Sequence, residues 1–147
     1  MNTTELTAKE YLHQAYRIDQ RINSKLEQVL SLRNLAEKAS TTLSNTPSGG
    51  TRNVHRMEDI IAKMMDMEAE INADITALVD LKRDIVSSIK RVGNTEYQTL
   101  LELRYLSYWT WEEISVELHY DIRHVHRLHS RALYAIDAVR RSCHGMS

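Results

Sequence analysis

Three arginines, Arg123, Arg127 and Arg131, stand at i, i+4 and i+8 in a stretch whose apolar residues recur at helical spacing. They therefore project from one side of one helix. Arginine carries a planar fork of N–H donors that matches guanine O6 and N7, or a phosphate. His124 flanks the row, and His126 lies nearer the boundary with the apolar face. Imidazole adds hydrogen bonding and, around its ordinary pKa of about 6.5, partial charge. From Asp121 to Ser142 the chain holds five arginines against two aspartates, although all 147 residues together carry a formal net charge of −1. A basic stripe within a balanced chain is the charge footprint of a surface that meets a polyanion.

Other chemistries fit these residues less well. His119, His124, His126 and His129 lie within eleven positions, with Cys143 and His144 beyond them. A zinc site needs three or four ligands converging on one point. His126 and His129 share a helix face, but His124 points elsewhere and no cysteine pair accompanies them, so the sequence implies no metal and no cofactor. It holds no Gly-rich phosphate loop and no nucleophile with a placed base. Glu112 and Glu113 read as helix-start residues favoured by the dipole, not as a catalytic pair. The expectation is a protein that is not an enzyme. Cys143 is the one cysteine, so no internal disulfide is expected. No apolar run approaches the ~20 residues of a membrane span, and the first residues lack the form of a signal peptide. A cytoplasmic setting without membrane contact is the expectation.

The elements that must hold the arginine row are marked by their caps. A first short helix carries Leu100, Leu101, Leu103, Arg104 and Tyr105, and ends in the connection from Leu106 to Trp109. Thr110 caps the next helix, with Glu113 completing a capping box; its buried face is Trp111, Ile114 and Leu118. His119 and Tyr120 form a turn. Asp121 then caps the last helix, where Ile122, Val125, Leu128, Ala132 and Leu133 recur at helical spacing. Two capped helices joined by so tight a turn predict a helix-turn-helix unit.

The rest of the chain is built differently. Thr7 and Glu10 fit a capping box that starts a long helix near Ala8. Its apolar seam runs Tyr11, Ala15, Ile18, Ile22, Val29, Leu32, Ala36, Ala39 and Leu43, with Lys25 in a seam position beside Leu26. Pro47, Gly49 and Gly50 mark a break at 44–52. A second long helix, about Asn53 to Val92, has its seam at Val54, Met57, Ile61, Met64, Ile71, Ile75, Leu78, Ile85, Ile89 and Val92, interrupted by Glu68 and Lys82. Gly93 and Asn94 end it. Two heptad helices of similar length joined by a short loop predict an antiparallel hairpin. The methionines at 57, 64, 65 and 67 read as adaptable packing. Ile60 and Met67, beside the seam, point to pairing of two hairpins in a homodimer. The fold class expected is all-α: residues 1–93 form a long antiparallel coiled-coil hairpin that serves as oligomerisation or partner arm. Residues 94–147 form a three-helix, helix-turn-helix DNA-binding domain.

The residues also resemble a known pattern. Leu103-Arg104-Tyr105, then Thr110-Trp111-Glu112-Glu113-Ile114, then Val125 and Leu128, then Arg131-Ala132-Leu133 are similar to region four of bacterial sigma factors. Over the full chain, phrases such as VDLKRDI and LELRYLSYWTWEEI resemble small proteins encoded by phages and prophages of Gram-positive bacteria, some of them late-gene transcriptional regulators. The resemblance implies contacts to double-stranded DNA from Asp121, Ile122, Arg123, His124, His126 and Arg127. It implies phosphate contacts from Thr110 and Trp111, with Arg131 a further one. RNA polymerase is a candidate partner, and the location implied is the nucleoid of a bacterial host. Two departures matter. Ile122 stands where primary sigma factors carry a polar or basic reader, so their promoter specificity does not transfer. His119 replaces a common turn glycine, which histidine can accommodate in a left-handed conformation. Nothing in the chain resembles sigma region two, which melts promoters.

The expectation is a sequence-specific transcriptional regulator with its recognition helix in the major groove. The alternative is a structural or DNA-packaging protein, such as a small terminase-like subunit that oligomerises through its helices. The order of the segments favours regulation, because packaging subunits place the helix-turn-helix first. The histidines add that DNA binding should tighten as pH falls from 8 to 6.

Overall fold

A computed structural model describes residues 6–45 and 50–145, with side chains for 6–41 and 54–142. Among the described residues the fold is all-α, as expected, and holds no strand. Its elements are α1 (Ala8–Asn45), α2 (Gly50–Lys90), α3 (Thr95–Leu101), a π-helical segment (Glu102–Leu106), α4 (Trp111–Leu118) and α5 (Ile122–Gly145). None of these helices is long and apolar enough to cross a membrane. Of the break expected at 44–52, residues 46–49 lie outside the described residues, while α1 runs through Asn45 and α2 starts at Gly50, three residues before the expected Asn53; the side chain of Leu43 also lies outside the description.

The chain divides into two compact units, one of Ile18–Ala77 and one combining Met1–Arg17 with Leu78–Ser147. This division runs through both long helices, whereas the sequence places the boundary at Gly93. The cause is that the first turns of α1 and the last turns of α2 bury their apolar residues with the short helices.

In the 18–77 unit, Ile22, Val29, Ile60 and Ile71 are buried. Across the seam, Arg21 binds Asp74 through two hydrogen bonds of 3.0 and 3.1 Å. Lys25 Nζ reaches Asp74 at 2.9 Å and Glu70 at 3.6 Å. Hydrogen bonds from Arg21, then Lys25, hold the Asp74 carboxyl below the usual carboxylate range. The α1 seam is as expected, including Lys25. The α2 seam is not. Val54, Ile61 and Ile75, assigned to it, are 45, 47 and 43 % exposed. The inward line is Met57, Ile60, Met64, Met67, Ile71 and Asp74. It keeps alternating three- and four-residue steps and leaves Glu68 outside. A polar Asp74 is tolerated there because two cations from α1 meet it, and a search for apolar seam residues passes over such a position. Ile60 and Met67 thus belong to the seam, not beside it.

The other unit has one core: Ala8, Tyr11, Leu12 and Ala15 from α1, Ile85 and Ile89 from α2, and Leu100, Leu101, Tyr105, Ile114, Val125, Leu128, Ala132 and Ile136. Full burial of each large aliphatic side chain contributes about 1.5–3 kcal/mol. Half of the capping box read at Thr7 forms: its Oγ1 accepts from the Glu10 backbone at 3.2 Å, while the Glu10 carboxylate accepts from the Thr7 hydroxyl. Polar clasps fix the N-terminal turn: Tyr11 Oη donates to Asp84, and Arg140 donates to the Leu6 carbonyl at 2.8 Å. Arg140 also lies 4.5 Å from the centre of the Tyr11 ring. Gly93 adopts φ +78° between α2 and α3, where a side chain would be strained. Asn94 does not extend the end of α2; it caps α3, accepting from the Tyr97 backbone at 3.1 Å.

Candidate nucleic-acid interface

α4 begins where its cap predicts. Thr110 Oγ1 accepts from the Glu113 backbone at 3.2 Å, and Glu113 accepts from the Thr110 backbone at 3.1 Å. The backbone bond first, then the hydroxyl, holds the Glu113 carboxyl below its ordinary pKa. α4 ends at His119, whose φ of 61° and ψ of 37° are left-handed, the conformation expected of it. Ser115 Oγ donates to the Tyr120 carbonyl, and Tyr120 Oη donates to Glu96 at 2.6 Å, tying the turn to α3. Asp121 accepts from the His124 backbone at 2.7 Å and starts α5.

α5 has two faces. Val125, Leu128, His129, Ala132 and Ile136 are buried. Arg123, His126, Arg127, Ser130 and Arg131 are exposed and line a shallow groove with Ile122. From Arg123 to Arg131 the row spans about 12 Å at 1.5 Å per residue. No ion pair or hydrogen bond engages the three guanidinium groups among the described residues, so their donors stay available to an external acceptor. Ile122, assigned to the apolar face as well as to contact, is 41 % exposed, because it precedes the turn at which α5 meets the core. His124 is half-buried, its ring 4.3 Å from that of Tyr120. Trp111 is half-buried and packs on His126 at 4.7 Å, while the Arg104 guanidinium lies 4.3 Å from its ring centre. Thr110 and Asp121 are exposed at the starts of their helices. All nine predicted contact residues thus sit in one unit, on α4, α5 and the caps that start them.

His129 behaves differently from its neighbours. It is 7 % exposed, shares a 2.6 Å hydrogen bond with Tyr105 Oη, and packs against Trp111 at 4.6 Å. Burial, then Lys9, Arg104 and His126, pushes its pKa down to about 4. It is a neutral core residue. Among the described residues no three His, Cys, Asp or Glu side chains converge as a metal would require.

Sequence reasoning missed a second feature. The π-helical turn carries Arg104, which donates to the Trp109 carbonyl at 2.9 Å. After it Tyr108 takes φ 61°, an uncommon conformation for a bulky residue. These groups, with Lys9, His13, Tyr16 and Arg17 of α1, line a cavity of about 660 Å³. Lys9, His13 and Arg17 have the same i, i+4, i+8 spacing as the arginine row, so their common face was legible. Their neighbours across the cavity were not.

Residues 37–137, more than two thirds of the chain, match a family described as "Protein of unknown function (DUF1492)". No curated protein and no solved structure matches the chain.

Proposed function

The chain belongs to the DUF1492 family, and from its geometry we propose that it is a sequence-specific, DNA-binding transcriptional regulator that lays α5 in the major groove. One observation carries the reading: α5 buries one face in the core and presents Arg123, Arg127 and Arg131, free of internal partners among the described residues, on the other. α4 and the His119–Asp121 turn form the helix-turn-helix support. Asp121, Ile122, Arg123, His124, His126 and Arg127 face base edges and adjoining backbone; Thr110, Trp111 and Arg131 hold phosphates. The likeness to sigma region four and to phage and prophage late-gene regulators supports a role at promoters, with RNA polymerase as a second partner. The protein would then work in the cytoplasm, on the nucleoid of a bacterial host.

The 18–77 unit supports self-association as the arm's role, with a second copy as its occupant. Leu26 and Leu30 stand one turn apart and are 49 and 56 % exposed; Ile61 and Met65, spaced alike, are 47 and 64 % exposed. Each pair leaves an apolar strip that heptad pairing between copies would cover. A homodimer fits a palindromic operator. A ring of eight or more subunits in sedimentation would favour the packaging role instead.

Selecting bound sequences from random duplexes supplies the operator. Against it, Arg127→Ala should weaken binding by about 1–3 kcal/mol and relax sequence preference. Arg131→Ala should weaken binding to all duplexes and lower the salt slope by about one. If neither change alters affinity for any duplex, α5 is not the reading helix.

A further inference from the structure

The basic row on α1 connects to the one on α5 through contacts of Arg104, Trp111 and His126. Lys9, His13 and Arg17 form one wall of the cavity, with Arg104 and Trp111 opposite. Arg104 lies over the Trp111 ring, and Trp111 packs on His126, which lines the groove of Arg123 and Arg127. Arg104, Trp111 and His126 thus link the groove on α5 to the basic row on α1, with the exposed Glu112 and Glu113 following Trp111 on α4. None of Lys9, Arg17 and Arg104 is in a salt bridge among the described residues. Glu10, the one carboxylate lining the cavity, accepts a 2.9 Å hydrogen bond from Thr7. His13 is stacked on Tyr16 at 5.3 Å, and burial followed by Arg17, Arg104 and Lys9 lowers its pKa. Three cations thus act on one imidazole, and Glu10 is in no salt bridge with them among the described residues.

We infer that Lys9, His13, Arg17 and Arg104 form a second phosphate-binding surface, which grips the duplex backbone beside the segment read by α5. The inference rests on the DNA-binding reading above and extends the footprint beyond the helix-turn-helix. Duplex DNA carries one negative charge per ~1.7 Å of axis, so any basic surface connected to the reading helix meets further phosphates. Lys9 and Arg17 are exposed and serve as point charges; the aromatic wall packs against sugar. These contacts raise affinity without reading sequence.

The test uses the full chain, its selected duplex and fluorescence anisotropy between 50 and 200 mM salt. Lys9→Gln with Arg17→Gln should lower the slope of log affinity on log salt by about two, at ~0.9 per phosphate released. That variant should then lose about tenfold less affinity than the wild type across this salt range, with sequence preference unchanged. Arg33→Gln with Lys63→Gln, two exposed cations of the 18–77 unit, makes the same charge change and should leave the slope alone. Circular dichroism confirms that each variant folds. The second readout is the His13 imidazole followed by NMR. The groups facing it are Lys9, Glu10, Tyr16 and Arg17 on α1, and Arg104, Tyr105 and Tyr108 across the cavity. A bound phosphate among them should raise its pKa.

If Arg127→Ala weakens binding while the Lys9 and Arg17 change leaves the slope intact, this inference falls and the DNA-binding reading stands. If the wild type binds no duplex, both fall. If inorganic phosphate alone moves the His13 resonance and the duplex slopes are equal, the cavity is a small-anion site and the inference is overturned.

Discussion

Lowering the pH from 7.5 to 5.0 tests whether His129 is held neutral inside the core beneath α5. The ring is 7 % exposed, bonded to Tyr105 and packed against Trp111, and its pKa is pushed down to about 4. In the unfolded chain it takes up a proton near the ordinary value of about 6.5. Between those values the unfolded state binds more protons than the folded state, so stability rises with pH. The contribution is complete above about 6.5 and drains away as pH falls toward about 4. At about 1.36 kcal/mol per pH unit, the descent from 6.5 to 5.0 removes about 2 kcal/mol. His13, also lowered, acts in the same direction. Asp74 and Glu113 have lowered carboxyl pKa values, so their contributions are lost only as pH falls through those lower values. Both tryptophans, Trp109 and Trp111, lie in the unit that contains His129, so urea unfolding followed by tryptophan fluorescence reports on that unit. His129→Gln leaves Tyr105 an amide partner and cannot titrate. The variant should be less stable at pH 7.5 by about 1–3 kcal/mol, for lost ring packing and hydrogen bonding. Over the window to pH 5.0 the wild type should lose about 2 kcal/mol more than the variant. Parallel stability curves for the two proteins would refute the argument that burial holds this imidazole neutral.

Two further substitutions test the local devices that position α5. Thr110→Ala removes the hydroxyl half of the α4 capping box, leaving its backbone N–H to Glu113, and should cost about 1 kcal/mol in the same unfolding assay; an unchanged midpoint would mean that tertiary packing alone sets the start of α4. His119→Gly relieves a left-handed side-chain-bearing residue and should stabilise by about 0.5–1 kcal/mol; a loss of stability would show that the imidazole makes a contact worth more than the backbone strain.

Much of the candidate site was legible because its signals are short in range. Thr110 and Glu113, Asp121 and His124, and the left-handed His119 each involve residues within three or four positions, and each forms as its residue types require. The arginine row needed only helical periodicity. The same rule failed for Ile122, whose apolar character suits the buried face but which precedes the first turn that meets the core. For His129 the spacing, four residues after Val125 and three before Ala132, points to the buried face, but its partner Tyr105 lies 24 positions away and is not legible locally.

The long helices show the same limit at larger scale. Their existence and heptad spacing, and the start of α1, follow from backbone preference and apolar recurrence, which depend on neighbouring residues alone. Which positions of α2 turn inward depended on Arg21 and Lys25, about fifty residues distant, meeting Asp74 and making a carboxylate acceptable in the seam. The cavity beside α4 is the clearest case. Lys9, His13 and Arg17 share a face of α1 by spacing, and Arg104 stands in a recognisable phrase, but nothing local brings them together. Packing of the first turns of α1 onto the short helices does that, because apolar burial is indifferent to sequence distance and carries its charged neighbours with it.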